Sequence, residues 1–419
     1  MSNPLLSSFT GPFNTAPFSE ISTAHFQPAF IAAIEEAKKE IEAIKLESLP
    51  TFENTVEALE KSGKHLGILS ALFFNLNSAE TNAELQGLAR EISPLLTAHA
   101  NDVLLDQELF QRIAQVYEQK ESLSLTAEQS TLLEKTYKSF VRNGAQLGAA
   151  DAEILRKIDQ ELSQLSLHFG EHVLAETNRF LHLVDQKSEL EGLPQGALEA
   201  AAQLAEEKGH AGNWAFSLDY PSYIPVMTYA KNRDLRKTLF MAFNTKCAKG
   251  DELDNQEIIK QLVTLRHRRA QLLGYESHAN FTLEERMAKS PGTVFEFLNS
   301  LLEKAKPKAK LDVEEVAVLA KKLDQLEALE KWDFAYYSEL LKKEKYAFVE
   351  EEIRPYFSLE NVISGVFATA SRLFGLRFVP NSEIPVYHPE VTAYEVYDRE
   401  NQFLSVFYAD FFPRPGKRN

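Results

Sequence analysis

Along most of this chain apolar residues recur at steps of three and four, the spacing that puts them on one face of an α-helix. The clearest run is Ile154, Ile158, Leu162, Leu165, Phe169 and Val173, within a helix predicted from Asp151 to Ala175. End signals agree with the period. Pro28 suits the first turn of a helix carrying Phe30, Ile31, Ile34, Ala37, Ile41 and Ile44. Thr126 and Gln129 form a capping box ahead of Leu132, Leu133, Tyr137, Phe140 and Val141, and Gly144 suits that helix's end. Asn54, Asn232 and either Asp254 or Asn255 read as further N-caps, and Gly274 as a stop. Pro94 is expected to kink or split a helix beginning near Ala83, because proline lacks a donor and crowds the preceding turn. Residues 186–198 read as a loop, and Trp214 to Leu218 as a short strand.

The period changes after Gly375. Ile384 to Tyr397 and Phe403 to Phe412, separated by Asp398–Asn401, read as a β-hairpin. Its second strand is apolar on both faces, with Phe403, Phe407 and Phe411 on one and Leu404, Val406 and Tyr408 on the other. Such a strand is normally covered on both sides, so its covering partner is expected outside these 419 residues. The predicted fold class is mainly α, a multi-helix protein with a small β-hairpin or sheet near the C-terminus.

A net charge of −16 argues against a nucleic-acid partner, which needs a positive surface. The single cysteine, Cys247, forms no intrachain disulfide, in keeping with a reducing cytoplasm. Residues 1–9 show neither the cationic nor the long apolar region of a signal peptide, and no stretch reaches the ~20 apolar residues of a membrane span. The expectation is a cytoplasmic protein with no membrane partner.

His168-Phe-Gly-Glu171-His172 fits H-x-x-E-H, in which two imidazoles one helical turn apart can ligate one ion and the glutamate can act as base. Against this stand Gly170 within the motif, the lack of an evident third ligand, and the ordinary reading of an amphipathic helix that carries two histidines. None of the ten histidines precedes a glutamate, so H-E-x-x-H is absent from the sequence, as are G-x-G-x-x-G, the P-loop and G-x-S-x-G. Arg266-His-Arg-Arg269 reads as an ion-paired helix face in preference to a carboxylate site. Trp332-Asp-Phe-Ala-Tyr-Tyr337 packs four aromatics into six residues, read first as core and second as a cleft wall.

Several segments, in order and spacing, resemble the M3 zinc peptidases, the thimet oligopeptidase family. They are Phe52-Glu-Asn-Thr55, Tyr223-Ile-Pro-Val-Met-Thr-Tyr229, Leu265-Arg-His-Arg-Arg-Ala-Gln-Leu-Leu-Gly-Tyr275, Trp332-Asp-Phe-Ala-Tyr-Tyr-Ser-Glu339, Arg354-Pro-Tyr-Phe357, Ile384-Pro-Val-Tyr-His-Pro389 and Phe407-Tyr-Ala-Asp-Phe-Phe-Pro-Arg414. Phe73-Phe-Asn-Leu-Asn-Ser-Ala-Glu-Thr-Asn82 is most similar to the branch that releases C-terminal dipeptides, with an oligoendopeptidase branch next.

The resemblance implies a neurolysin-like helical scaffold with a deep channel for short peptides. It also implies a zinc ion, held by the two histidines of H-E-x-x-H and a later glutamate, that activates water. None of those ligands maps onto residues 1–419, so no catalytic residue and no metal ligand is assigned here, and no zinc is expected bound to this chain. The expected division is an N-terminal helical domain, 1–150, and the first part of the catalytic region, 151–419. The resemblance places Tyr408, Asp410 and Arg414 at the channel wall, with Asp410, Arg414 and Lys417 matching polar positions of its signature. It further implies short-peptide substrates and reads these 419 residues as an N-terminal portion of a peptidase, inactive alone, with the missing C-terminal half as a candidate partner. A non-catalytic helical peptide-binding protein is the alternative.

Overall fold

The computed structural model describes residues 3–418. Helices dominate, as the period requires. Five short strands accompany them: β1 His182–Val184, β2 Trp214–Phe216, β3 Arg377–Pro380, β4 Thr392–Tyr397 and β5 Phe403–Ala409. The chain forms two compact units, each assembled from separated segments. One comprises residues up to Phe169, Ile258–Thr282 and Phe374–Arg418; the other comprises Gly170–Glu257 and Leu283–Leu373.

In the first unit, helix Phe26–Leu46 buries Phe26, Phe30 and Ile34 against Leu69 and Phe73 of helix Lys64–Ala79 and Ile92 of helix Ala83–Leu104. Phe73 sits edge-on to Phe26 and Phe30, with ring centroids 5.0 and 5.7 Å away. Helix Ala83–Leu104 runs through Pro94 unbroken. Proline removes a single N–H, and the buried Ile92 and Ser93 beside it hold the turn in the core. Thr51, not Asn54, caps the segment Phe52–Glu57: its Oγ1 accepts from the Asn54 N–H at 3.2 Å, and Asn54 Oδ1 reaches back to the Thr51 N–H at 2.8 Å. The Thr126–Gln129 box forms as expected, at 3.2 and 3.0 Å.

The C-terminal sheet of this unit has the order β3-β4-β5, all antiparallel. The predicted hairpin is present, yet its first strand starts at Thr392 and not at Ile384. Pro385 and Pro389 each lack the N–H a ladder needs. Strand β3, which the sequence did not suggest, pairs along β4 instead. On β5 only Ala409 is fully buried, and Phe403, Leu404 and Phe407 are more than two-fifths exposed.

The helix expected over 151–175 spans Ala149–Arg179, and its fully buried apolar positions are Leu155, Ile158 and Leu174. In the second unit β1 pairs antiparallel with β2, and helices Tyr220–Tyr229, Arg233–Asn244 and Lys331–Tyr346 enclose Phe216, Val226, Met227 and Leu239. Asn232 Oδ1 caps helix Arg233–Asn244 by accepting from the Asp234 and Leu235 N–H groups at 3.0 and 3.1 Å. Residues 186–198 are only partly loop, because helix Gln195–Glu207 starts within them.

Gly192 in that loop has φ +95°, and a Cβ there would lie 2.3 Å from the Tyr229 carbonyl oxygen. Gly192→Ala is therefore expected to destabilise this unit by about 2–3 kcal/mol through clash and left-handed strain. Urea unfolding followed by tryptophan fluorescence checks it, since both tryptophans, Trp214 and Trp332, belong to this unit. An unchanged midpoint would show that the loop relaxes freely.

Candidate functional site: a carboxylate lock after the last strand

Residues Tyr408, Asp410 and Arg414 lie at and just past the end of β5. Antiparallel pairing places Tyr408 opposite Ala393 and Ala409 opposite Thr392. The chain then leaves the sheet, and its direction is fixed by Asp410. Arg414 Nη1 and Nη2 donate to Asp410 Oδ1 and Oδ2 at 2.8 and 2.9 Å, a two-pronged pair. Tyr387 Oη donates to Oδ2 at 2.8 Å, and Lys417 Nζ lies 3.0 Å from Oδ1. Lys417 also donates to the Asp410 and Phe412 carbonyls at 2.8 and 3.1 Å.

Arg414 joins this cluster to the start of the chain. Its Nε donates to Glu80 Oε2 at 2.7 Å and its Nη2 to the Ala79 carbonyl at 2.8 Å. Two backbone bonds continue the seam: Thr81 N to Gly416 O at 2.7 Å and Arg418 N to Ser78 O at 2.8 Å. A Cβ on Gly416 would lie 2.7 Å from the Thr81 carbonyl oxygen, so this approach needs glycine. The Asp410 and Arg414 side chains are only 10% and 7% exposed.

The electrostatics follow from these contacts. The Arg414 guanidinium holds the Asp410 carboxyl well below the usual carboxylate range, with Lys417 and Tyr387 adding to it against the cost of burial. Burial, then the bond to Asp410, pushes the Tyr387 phenol up to about 12. Burial likewise raises the Tyr408 phenol, whose ring stands edge-on to Phe18 at 6.0 Å. Both oxygens of Asp410 are engaged by donors, which suits an anchor for the following chain and not a base or metal ligand.

The sequence marked Tyr408, Asp410 and Arg414 but gave no sign of Glu80 or Tyr387. Glu80 is 334 residues from Arg414 in the chain, and no local pattern links them. Tyr408 shares the strand but lies outside the bonded cluster at Asp410; its ring packs edge-on against Phe18.

The histidine motif is arranged differently. His172 Nδ1 lies 2.9 Å from Asn255 Oδ1, which accepts its proton and orients the ring. His168 is half-buried and Glu171 buried on the same helix, Ala149–Arg179. Among the described residues no three His, Cys, Asp or Glu side chains converge as a metal-holding group. The donor set that the resemblance implies for zinc, H-E-x-x-H, does not occur in these 419 residues, so no catalytic step is derived through the metal. Arg269, from the basic cluster, donates through Nε to Asp159 at 2.6 Å and through Nη2 to Asn143 Oδ1 at 3.1 Å. That is the ion-paired helix face.

Comparison with known proteins gives the context. Peptidase family M3 matches residues 226–419. The dipeptidyl carboxypeptidase of Escherichia coli K12 is 35% identical over 99% of this chain and 61% of its own length. Oligopeptidase A of Salmonella typhimurium is 31% identical over 100% of the chain and 62% of its own length. A probable cytosolic oligopeptidase A of Arabidopsis thaliana is 34% identical over 100% and 60%. The chain thus spans about three-fifths of the length of the curated relatives it matches. The matches to these relatives run the length of the sequence, and its residues 226–419 match peptidase family M3: the chain is similar throughout to peptide hydrolases of that kind.

Proposed function

We propose that these 419 residues supply the scaffold part of a zinc-dependent peptidyl-dipeptidase, which trims dipeptides from the C-termini of short peptides. The observation that carries this reading is the 35% identity to a dipeptidyl carboxypeptidase over 99% of the chain. In this reading residues 1–150 are the N-terminal helical domain and 151–419 open the catalytic region, in the cytoplasm. The Asp410–Arg414 lock holds the chain after β5 in place and does not touch substrate.

The chemistry needs ligands that these residues do not encode, so the 419 residues alone are expected to be inactive, the ligands belonging to the remaining two-fifths or so of the relatives' length. Two exposed apolar surfaces suit packing against that remaining part. On β5 the side chains of Phe403, Leu404 and Phe407 are exposed, and so are those of Phe411 and Phe412 beyond it. In the second unit, helix Pro291–Asp324 exposes Phe295, Phe297, Leu298, Leu301 and Leu302. No helix among the described residues is long and apolar enough to cross a membrane, so these surfaces are not read as a membrane span.

The test is an assay of the purified 419 residues with an N-blocked peptide, with and without added zinc. The expected result is no turnover beyond background in either condition. Addition of the C-terminal two-fifths of a dipeptidyl carboxypeptidase is expected to restore zinc-dependent dipeptide release. Hydrolysis by the 419 residues alone, proportional to protein and abolished by His168→Ala, would overturn the reading and revive the inverted zinc motif.

A further inference from the structure

The second unit contains a cavity of about 560 Å³ that the peptidase reading leaves unused. That volume lies within the ~300–1,000 Å³ typical of small-molecule sites. Its walls are pre-formed. One is the loop at Gly192, tied down by the Lys231 N–H donating to the Glu191 carbonyl at 2.9 Å and by the Lys231–Glu191 ion pair at 3.0 Å. The facing wall is helix Lys331–Tyr346, from which Tyr336, Glu339, Leu340 and Lys343 project at positions i, i+3, i+4 and i+7, which share one helical face. Tyr229 and Val349 also line it.

The lining chemistry is two-signed. Glu191 is paired with Lys231 and Glu339 with Lys342, each through one carboxylate oxygen, which leaves the other oxygen for an ammonium ligand. Lys343 makes no ion pair among the described residues and is exposed at the rim. Burial raises the phenols of Tyr229 and Tyr336, so both remain hydrogen-bond donors at neutral pH. The rings of Tyr229 and Tyr336, with Leu340 and Val349, offer an apolar body between the polar groups.

From this we infer that the cavity is a binding site for a zwitterion of dipeptide size with an apolar side chain. Its carboxylate meets Lys343 and the phenols, and its ammonium meets Glu339 and Glu191. The inference does not rest on the peptidase reading, because it concerns binding by the 419 residues as they stand.

Titration calorimetry of the whole chain with the dipeptide alanyl-phenylalanine tests it. Saturable one-site binding is expected at or below about 1 mM. Lys343→Met, at an exposed position, is expected to weaken binding roughly tenfold while leaving the tryptophan-monitored melt unchanged. The C-terminal amide and the N-acetyl form of the dipeptide should each lose a similar factor. No saturable heat at about 10 mM dipeptide would overturn the assignment, since that limit lies far outside a functional site. Equal affinity for the Lys343→Met protein would overturn it too, by placing the dipeptide elsewhere. Equal affinity for the N-acetyl form would overturn the zwitterion class. Failure of the hydrolysis assay above bears on none of these outcomes.

Discussion

Asp333→Asn is expected to remove about 3–5 kcal/mol of stability from the second unit, because it strips the counter-charge from a buried guanidinium. Asp333 is 0% and Arg236 1% exposed. Arg236 Nη2 donates to Asp333 Oδ1 at 2.9 Å, and Arg233 adds bonds from Nε at 3.0 and 3.1 Å and from Nη2 at 2.8 Å. The Glu330 N–H, at 3.1 Å, is a further donor, so the same carboxylate closes the start of helix Lys331–Tyr346. Burial alone would raise this carboxyl, yet the two arginines hold it below the usual range.

Asparagine keeps the shape and loses the charge. Arg236 would then meet only neutral groups: the asparagine oxygen, the Ala230, Lys231 and Trp332 carbonyls and the Tyr336 ring 4.3 Å away. Urea unfolding followed at Trp214 and Trp332 reads this unit directly. A loss below about 1 kcal/mol would mean that water reaches Arg236 and that the pair is not dry. Arg233→Met is expected to cost less, about 1 kcal/mol, because that side chain is 43% exposed.

Asp410→Asn has the second-largest expected effect, and it is local. The carboxylate gathers Arg414, Lys417 and Tyr387, and through Arg414 it holds the chain end against Ser78–Thr81. Weakening that lock by about 2–3 kcal/mol should speed hydrogen exchange roughly 30- to 150-fold at the amides of Thr81 and Arg418, with the distant core around Phe73 unchanged. Uniform acceleration across the unit, or none, would contradict the lock.

The pH dependence has a definite sign. The Asp410 carboxyl is depressed in the folded state, so its contribution is present above the unfolded value near pH 4. It is lost progressively as pH falls below that toward the folded value. The acid limb of the stability curve should therefore be shallower in the Asp410→Asn protein than in the parent.

Much of the local structure was legible in the sequence because it depends on neighbours. The Thr126–Gln129 box and the Asn232 cap are bonds between residues two or three apart, and both formed where read. The hairpin turn was equally legible, with Asp398–Asn401 between two apolar runs. What was misread involved competition with packing. Helix Ala83–Leu104 is not split at Pro94, because its buried neighbours outweigh one lost donor. Strand β3 escaped notice because four residues carry too little pattern, and β4 was needed to define it.

The candidate site divides the same way. Asp410, Arg414 and Lys417 form one short signature, but Glu80 and Tyr387 reach it only when distant segments meet. The cavity was invisible beforehand: Gly192, Tyr229 and Lys343 share no motif. Sequence alone determined the helical class, the hairpin, the resemblance to the M3 peptidases and the absence of H-E-x-x-H from these residues, because periodicity, turn chemistry and ligand spacing are written in adjacent residues. Tertiary structure alone decided which carboxylates are buried against arginine, which phenols face a cavity and which apolar faces stay exposed, because burial and long-range pairing are properties of the packed chain and not of any window along it.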